Sequence, residues 1–477
     1  MMHDKGTIPP RRLDRRLGFF DAAMILVGIV IGSGIYLTSG IMARSLPSVP
    51  LLLLAWVFGG ALTLAGALTY AELGAALPEA GGQYIYLREA YGPMAGFLFG
   101  WISFLVYMTG GIAALALAFS EYLGYFFPSL GMQATLVSIP LPPSGPDASF
   151  SISAGQLMAV LVVLLLSAVN FIGVGYGKTV QNVLTVLKVL TLASIIVFGF
   201  SLGRGAGIDW TLNPSHLPPA RLLTGFGVAL VAVSWAFDGW NNVNFVAGEI
   251  RNPQRNLPRA LISGTLMITV LYILINTVYV HALPLSEMSG VIRIAEKATS
   301  SLFGTTTGAV ISAAVLVSVF GALNGSILVG PRIYFAMARD GLFFKRAGEI
   351  HSRFRTPHFS ILLQAIWASV LISAGSFEQI FTFSIFMAIV FWIAAAAAVF
   401  SLRRKRPDLP RPYRTWGYPV IPFLFILASA GILLNTLGES PVEALAGIVL
   451  TVGGIPVYLA WHRKSRGKTH DQQKPGS

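Results

Sequence analysis

The chain has 477 residues, of which 55% are hydrophobic and only 11% carry a charge. Together with a mean hydropathy of +0.70, this composition places the chain among polytopic membrane proteins. We therefore expect an all-α fold in which many helices span the membrane.

The charged residues, cysteines and histidines narrow the possible functions. The net charge of +13 comes from basic residues scattered over short connections, which fits contact with membrane lipid better than nucleic-acid binding. The chain has no cysteine, which excludes disulfides and thiolate metal sites. Its seven histidines show no paired spacing typical of a metal centre. We expect no metal and no cofactor.

Apolar runs of about 17 residues or more predict twelve transmembrane helices. Before them, residues 1–17 form a polar, basic cytoplasmic tail without the short apolar segment of a cleavable signal peptide. The predicted helices cover residues 18–44, 51–77, 92–127, 153–172, 180–203, 222–250, 258–284, 304–336, 359–375, 379–402, 418–438 and 442–462. A cytoplasmic connection at 403–417 precedes the last two helices, and a cytoplasmic tail at 463–477 follows them.

The connections between the helices differ in their content of lysine and arginine, and basic loops stay in the cytoplasm. With a cytoplasmic N-terminus, most of the 33 basic residues face the cytoplasm. The opposite side then receives only Arg44, Arg204, Arg221, Arg293 and Lys297. We therefore expect a multi-pass protein of the plasma membrane with both termini in the cytoplasm.

Two predicted helices are interrupted near the middle of the bilayer. The first contains Gly32, Ser33 and Gly34, and the sixth contains the segment DGWN at 238–241. An interrupted helix is tolerated in a membrane only where its backbone faces protein or a watery cavity. The two helices run in opposite directions because they are five spans apart. This arrangement is typical of an inverted-repeat transporter with its substrate site at the breaks.

The two breaks expose backbone groups of opposite polarity. The half-helix after Gly34 presents unpaired N–H groups and the positive end of its dipole, which suit a carboxylate. The half-helix ending near Trp235 to Asp238 presents unpaired carbonyls, which suit an ammonium group. Together they predict a site for an α-amino acid. Glycines also permit close helix packing, and either the carbonyl or the carboxylate of Asp238 is a candidate.

Five segments, in this order along the chain, carry a resemblance to a known family. They are VGIVIGSGIY around the first break, YAELGAALPEAGGQYIYLREAYG at 70–92, WAFDGWNNVNFVAGEIRNPQRNLPRAL at 235–261, FGALNGSILVGPRIYFAMARDG at 320–341 and RKRPDLPRPYRTWGYPVIP at 404–422. The chain thereby resembles the amino acid/polyamine/organocation superfamily, and within it the L-type amino acid transporter branch with its bacterial members. The resemblance extends over nearly all of residues 18–462.

The resemblance implies the fold of the leucine-transporter type. In that fold two inverted repeats of five helices, here 18–203 and 222–402, surround a central site and give alternating access to it. Two extra helices at 418–462 follow the repeats. Resemblance to the bacterial members also implies a location in the cell inner membrane.

The resemblance further implies which residues bind the substrate. The backbone of Gly32, Ser33 and Gly34 holds the carboxylate, and a carbonyl of Val30 or Ile31 faces the amino group. The second break supplies more carbonyls for the amino group, an aromatic side chain that closes over the ligand, and a polar side chain. The residues concerned are Trp235, Phe237, Asp238, Gly239 and Asn241, of which Trp235 is the aromatic residue and Asn241 the polar one.

The chain departs from the animal members of the branch at two points. It has Gly248 and Glu249 where many of them have two successive glutamates. It also lacks the cysteine through which animal members bind a heavy subunit. We therefore expect no disulfide-linked heavy subunit, and a monomer.

Lys188 lies well inside the predicted fifth helix, too deep for its charge to reach an interface. One interpretation is a lysine that only satisfies carbonyls for stability. The resemblance implies a coupling role, because similar lysines occupy the position where sodium-coupled relatives bind an ion. We expect its ammonium to contact carbonyls near Gly28 to Ile31 and polar groups around Ser318 to Ser326, replacing sodium.

The predicted function is a sodium-independent secondary transporter of L-α-amino acids, working as an exchanger (antiporter) or as a permease. A proton-coupled amino acid symporter and a polyamine or amine permease are the alternatives. Amines lack the carboxylate that the first break suits, which disfavours them. An enzyme is not expected, because the intramembrane titratable groups do not form a convergent acid, nucleophile or metal set. A channel is disfavoured because the sequence has no repeated filter signature.

Overall fold

The computed structural model describes residues 13–140, 149–212, 218–374 and 377–471. The outer parts of the predicted tails, residues 1–12 and 472–477, lie outside the described residues. Eleven helical spans in the described ranges are long and apolar enough to cross a membrane. The chain is therefore a multi-pass membrane protein.

Helices make up most of the described chain. In chain order they are α1 (Phe19–Val30), α2 (Gly34–Ser45), α3 (Val49–Ala76), α4 (Gln83–Tyr91), α5 (Pro93–Ile102), α6 (Met108–Phe126), α7 (Ala154–Ile172), α8 (Val174–Ser201), α9 (Pro219–Phe237), α10 (Pro253–Ala282), α11 (Leu285–Met288), α12 (Ile294–Phe303), α13 (Thr305–Val329), α14 (Pro331–Arg339), α15 (His358–Ala374), α16 (Phe377–Lys405), α17 (Val420–Glu439) and α18 (Pro441–Asp471). A π-helical segment, Ser103–Tyr107, joins α5 to α6. Three 3₁₀-helices lie at Pro128–Leu130, Asn242–Glu249 and Lys345–Gly348, and the strands β1 (Thr135–Pro140) and β2 (Ser149–Ser153) form an antiparallel hairpin.

Prolines explain several helix boundaries. Pro93, Pro219, Pro253, Pro331 and Pro441 each begin a helix. Proline is favoured at the first position of a helix because its fixed φ suits the first turn. It also lacks an N–H, which in other residues would have no acceptor within the helix at this position. Four of these prolines, Pro93, Pro219, Pro253 and Pro441, lie within five residues of a predicted helix start.

The predicted ninth helix, 359–375, is present as α15, which has 17 residues. Its apolar part, His358–Ser373, is shorter than the eleven spans described above. The helix lengths therefore establish eleven spans, and the twelfth is a proposal taken up below.

Several elements differ from the sequence-based expectation. The short helices α11 and α12 and the hairpin of β1 and β2 lie in connections for which no regular structure was expected. The last helix continues to Asp471, through the first residues of the segment predicted as a tail from residue 463. No proline follows Trp461 before residue 471 to end the helix.

The two interrupted spans lie at the centre of the helix packing. The first half of span one, α1, packs against α8, α10 and α13, and α2 packs against α9. On the outer helices α7, α8 and α17, large apolar side chains such as Leu165, Leu190 and Leu427 are exposed, as lipid-facing positions should be. The central elements are therefore shielded from lipid.

A backbone link connects the start of the first span to the end of the interrupted sixth span. Leu17 donates its N–H to the carbonyl of Glu249 at 2.9 Å, and Arg251 donates to the carbonyl of Leu17 at 2.8 Å. These bonds form a parallel β-bridge between Leu17 and Ile250. Both bridge residues are fully buried, so the chain just before α1 is fixed to the segment that follows the second break.

Candidate functional site

A cavity lies where the two broken spans meet α6 and α13. About 400 Å³ there is not filled by protein atoms, counting space that is open to solvent, and about 30 Å³ of it can hold the centre of a water molecule. Its walls come from both breaks, from the π-helical segment and α6, and from α13. The lining residues are Ile29, Val30, Gly32, Ser33, Gly34, Tyr107, Met108, Gly111, Leu115, Trp235, Asp238, Asn242 and Ser326.

The first break presents hydrogen-bond donors to this cavity. The N–H groups of Ser33, Gly34 and Ile35 have no hydrogen-bond acceptor in the described part of the chain. The Ser33 hydroxyl is buried without a partner there as well. Unsatisfied N–H groups at the start of a helix form an anion-binding site, because the dipole of α2 adds a partial positive charge.

Gly34 also sets the distance between the two broken spans. A Cβ at this position would overlap the Cα of Ala236 in α9 and lie 2.9 Å from its Cβ. Backbone therefore packs directly on backbone where α2 begins. The packing interpretation of this glycine and its place at the cavity are compatible, because the close approach brings the two breaks together.

The second break turns the chain at Asp238 and Gly239. Asp238 ends α9, and Gly239 adopts a φ of +94°, a conformation that glycine favours. The Asp238 N–H donates to the carbonyl of Trp235 at 3.0 Å, and the Trp240 N–H donates to the carbonyl of Phe237 at 3.3 Å. The span then continues as a 3₁₀-helix.

Tyr107 lies at the cavity, although nothing in the sequence indicated a role for it. Its hydroxyl donates to Asp238 Oδ1 at 3.1 Å and lies 3.3 Å from Asn242 Oδ1. Tyr107 ends the π-helical segment, and such segments are frequent at functional sites. No sequence signal for a π-helix was available, so the direction of this side chain was not predictable.

The structure brings together six of the predicted substrate-binding residues around the cavity. They are Val30, Gly32, Ser33, Gly34, Trp235 and Asp238. The ring of Trp235 also packs against that of Phe381, with centroids 5.5 Å apart. The substrate-binding roles of these residues stay predictions.

The other four predicted residues lie beside the cavity and not in its lining. Ile31 directs its carbonyl to Lys188, and Phe237 packs on Tyr272 with ring centroids 5.1 Å apart. Gly239 lies against Ile29. Asn241 donates to Gln83 Oε1 at 2.9 Å, whereas the next residue, Asn242, lines the cavity.

Lys188 makes the backbone contacts that the sequence predicted. Its ammonium donates to the carbonyls of Gly28 at 2.6 Å and Ile31 at 2.9 Å, and the side chain is 2% exposed. The Ser318 hydroxyl donates to the same Ile31 carbonyl at 3.1 Å. The amino group of Lys188 therefore connects α8 with the end of α1, next to α13.

The charged residues at the end of the bundle where α1 begins form ion pairs. Arg332 of α14 and Glu249 are 1% and 3% exposed and are 2.8 Å apart. Glu72 is bonded by Arg403 and by the Thr415 N–H, and Arg88 pairs with Asp340 at 2.6 Å. Burial lowers the pKa of Arg88, but hydrogen bonds and attraction to Asp340 and Glu89 have the larger combined effect, so the pKa lies above its ordinary value.

No group of three or more histidine, aspartate or glutamate side chains is placed to hold a metal ion within the described ranges. The cavity is lined instead by backbone N–H groups, one carboxylate, neutral polar side chains and apolar residues such as Ile29 and Leu115. This arrangement can bind a small zwitterion by hydrogen bonds and charge.

Comparison with known proteins decides the family. A sequence profile for amino acid permeases matches residues 17–452. The chain belongs to the amino acid permease family. The resemblance inferred from the five sequence segments is thereby confirmed.

The permease aligns with curated transporters over almost its whole length. It is 34% identical over 458 residues to the serine/threonine exchanger SteT of Bacillus subtilis (strain 168), covering 95% of the permease and 98% of that protein. It is 31% identical over 466 residues to the Large neutral amino acids transporter small subunit 2 of Homo sapiens, covering 95% and 82%. It is 29% identical over 471 residues to the human b(0,+)-type amino acid transporter 1, covering 97% and 91%. The family and these relatives are transporters, not enzymes.

One relative is named as a small subunit, which raises the question of a partner for the permease. A disulfide to such a partner is impossible here, because the permease has no cysteine.

Proposed function

We propose that the permease is a sodium-independent secondary transporter of L-α-amino acids that works by alternating access as an exchanger. The single observation that carries this proposal is the cavity between the breaks, where donor N–H groups of α2 and the Asp238 carboxylate share one space. A carboxylate and an ammonium attached to the same carbon fit these two features. SteT, the relative at 34% identity, is named as an exchanger of serine and threonine, which favours exchange over one-way permeation.

Lys188 supports the absence of sodium from the proposed cycle. Its ammonium already lies against the carbonyls of Gly28 and Ile31. A cation bound to these carbonyls would have to displace a buried positive charge, and two like charges at this distance repel strongly. Transport should therefore need no sodium gradient.

The proposed architecture has twelve spans, with α15 as the ninth. Residues 18–203 and 222–402 form the two inverted repeats, 403–417 connects them to two extra helices at 418–462, and the tails are 1–17 and 463–477. Breaks in the first and sixth spans support this division, as does the packing of α2 on α9. The basic connections support cytoplasmic termini in the plasma membrane, and we propose a monomer.

Buried polar contacts on both sides of the cavity are suited to act as gates. Toward the end where α1 begins, the Arg332–Glu249 ion pair excludes water. Toward the other end, Tyr122 donates to the carbonyl of Tyr36 at 3.2 Å, and Ser39 donates to Asn276. Alternating access would break these two sets of contacts in turn.

The experiment is counterflow in proteoliposomes that contain the purified permease. Liposomes loaded with unlabelled L-serine, L-alanine or L-leucine are diluted into labelled amino acid, with sodium or with choline outside. We expect saturable uptake that requires internal amino acid and is equal in both salts. Uptake that occurs only with a sodium gradient, or no uptake of any L-amino acid, would contradict the proposal.

Proton-coupled symport is a second candidate, favoured by the ionisable Asp238 in the cavity lining. It predicts uptake into empty liposomes when a pH gradient is imposed, and loss of that uptake with a protonophore. An amine permease predicts competition by the decarboxylated amine of an amino acid. The unsatisfied N–H groups at Ser33 to Ile35 argue against that function, since an amine offers them no acceptor.

A further inference from the structure

A second, wider space lies at the end of the bundle where α1 begins, separate from the cavity between the breaks. About 1400 Å³ there is not filled by protein atoms, counting space that is open to solvent. Its lining includes residues 78–80, from the connection between α3 and α4, and Gly248. The 3₁₀-helix Asn242–Glu249 runs between the two spaces, because its first residue lines the cavity between the breaks. All of its residues except Gly248 are buried, so it forms a wall that closes the cavity at this end.

The connection between α3 and α4, residues 77–82, packs directly on this 3₁₀-helix. Gly81 donates its N–H to the carbonyl of Phe245 at 3.0 Å. A Cβ at Gly82 would lie 2.7 Å from the carbonyl carbon and oxygen of Asn244, and the φ of Gly82 is +43°. Glycine fits both the short distance and the positive φ. The wall therefore consists of the 3₁₀-helix and this connection, held backbone to backbone.

Gln83, the first residue of α4, joins this wall to the second break. Its side chain is fully buried. Asn241 Nδ2 donates to Gln83 Oε1 at 2.9 Å, and Gln83 Nε2 donates to the carbonyl of Phe391 in α16 at 2.7 Å. A carbonyl can only accept a hydrogen bond, which fixes the orientation of the Gln83 amide. One amide group thus connects the second break, α4 and α16.

Asn241 is the point where this connection meets the cavity. Asp238 and Asn242, on either side of it in the chain, both line the cavity. The Asn241 carbonyl accepts from Asn244 Nδ2 at 2.7 Å, and the Asn244 side chain also bonds to α4. Asn241 Oδ1 is buried without a partner in the described part of the chain, so the bond to Gln83 fixes this side chain. A change in the backbone of the break is therefore transmitted to α4.

We propose that Gln83 is a positioning residue for transport, which couples substrate binding at the second break to opening of the cavity toward the end where α1 begins. This inference rests on the proposed amino acid transport. In the observed conformation Gln83 holds Asn241 and the Phe391 carbonyl together and keeps this end closed. A substrate that shifts the break weakens the bond from Asn241, which lets the 3₁₀-helix and the connection separate.

The proposal separates the effect of Gln83 on conformation from any effect on substrate binding. Gln83 does not line the cavity, so replacing it by leucine, which has a similar size, should leave the affinity for amino acids unchanged. The replacement removes two buried hydrogen bonds from the closed conformation. Such a loss shifts a conformational equilibrium by about 5-fold or more, here toward the conformation open at this end.

The test makes use of the absence of cysteine from the chain. Ser326→Cys places a single thiol in the lining of the cavity and serves as the reporter. Its reaction rate with a membrane-impermeant thiol reagent is measured in inverted and in right-side-out membrane vesicles. With the proposed cytoplasmic termini, inverted vesicles expose the end where α1 begins. The reporter is combined with Gln83→Leu, with Asn241→Ala and with both.

Gln364→Leu in the same reporter is the matched control. Gln364 is 1% exposed and donates to the Ile327 carbonyl at 3.3 Å. It is therefore another buried amide that joins two helices, α15 and α13, without contact to the connection at 77–82. Its replacement measures how much the loss of a buried amide loosens the bundle in general.

Gln83→Leu should accelerate labelling about 5-fold or more in inverted vesicles and leave it unchanged in right-side-out vesicles. Asn241→Ala should accelerate it in the same orientation, and the double variant should add little, because both substitutions break one shared bond. Gln364→Leu should label like the reporter alone. Without the reporter, Gln83→Leu should bind a labelled amino acid in detergent like the wild type, but its maximal counterflow rate should fall.

Other outcomes overturn the proposal. Gln83→Leu that labels like the reporter alone in both orientations, or faster only in right-side-out vesicles, shows that Gln83 does not hold this end closed. An equal increase in both orientations, or with Gln364→Leu, shows general loosening. If Gln83→Leu does not fold, unchanged labelling of Asn241→Ala refutes the coupling. A wild type that transports no amino acid would instead contradict the proposed function, which the labelling rates do not measure.

Discussion

Replacing Lys188 by methionine tests whether this buried charge holds the first break in its working geometry. Lys188 donates to the carbonyls of Gly28 and Ile31. Methionine has a similar length but no donor, so both bonds are lost. The Gly28 carbonyl cannot accept the usual helical hydrogen bond from the Gly32 N–H instead, because that N–H donates to the Val30 carbonyl.

The size of the expected loss of transport depends on the hydrogen bonds that the two carbonyls keep after the substitution. The Ile31 carbonyl keeps its bond from Ser318, whereas the Gly28 carbonyl loses the lysine ammonium. A buried acceptor left without a partner costs about 1–3 kcal/mol, which corresponds to about 5- to 150-fold in a conformational equilibrium. Removing the charge also removes its desolvation cost. We therefore expect transport to fall by about 5-fold or more while thermal stability changes little.

The assay is counterflow of a labelled amino acid in proteoliposomes, together with the thermal unfolding temperature of the same preparation. The matched control is Lys178→Met, because Lys178 lies on the same helix and pairs with Asp21 at 3.3 Å while 30% exposed. A surface pair of this kind contributes about 0–1 kcal/mol, so the control should transport normally. A Lys188→Met protein with wild-type transport and affinity would refute the reasoning.

Three further predictions concern glycine and charge positions around the cavity. Gly34→Ala should force α2 away from Ala236 and abolish uptake. Overpacking should also destabilise the protein by about 1–3 kcal/mol and lower its unfolding temperature. Normal uptake would contradict the close contact between α2 and α9. Gly111 lines the cavity, and Gly111→Ala places a methyl group where no atom lies within 4 Å. Stability should therefore hold while uptake of leucine falls relative to that of alanine. An equal effect on both substrates would argue that the substrate side chain does not lie against Gly111. Glu249→Gln should destabilise the protein by about 3–5 kcal/mol, because Arg332 stays buried without its counter-charge. The double variant Glu249→Gln with Arg332→Gln should recover stability in thermal unfolding. No recovery would show that loss of the ion pair is not the cause of the destabilisation.

The membrane spans were predictable because their signal is a sum over many residues. Twenty or so apolar side chains identify a span even when single positions are ambiguous. The break at Gly32 to Gly34 was predictable for a related reason, since small and polar residues interrupt an apolar run where lipid cannot satisfy the backbone. The need of Lys188 for a polar partner followed from its depth in the span, whereas its partners near Gly28 to Ile31 were implied by the resemblance to the family.

The details that the sequence did not provide depend on local backbone geometry. Tyr107 reaches the cavity through a π-helical segment, which rotates the side chains that follow it relative to a regular helix. The 3₁₀ winding after the second break places Asn242 at the cavity and turns Asn241 to Gln83. The partner of Glu249 is Arg332, 83 residues away in the chain, and no local pattern indicates such a pair.

The β-bridge between Leu17 and Ile250 has a practical consequence for the design of expression variants. Because Leu17 is joined by backbone bonds on both sides, side-chain substitutions there would leave the link in place, whereas deletion of the residue would sever it. A truncation or reporter fusion that removes the N-terminal residues up to and including Leu17 should therefore disturb transport, although the altered segment lies far from the cavity. Fusions at the opposite terminus avoid this link.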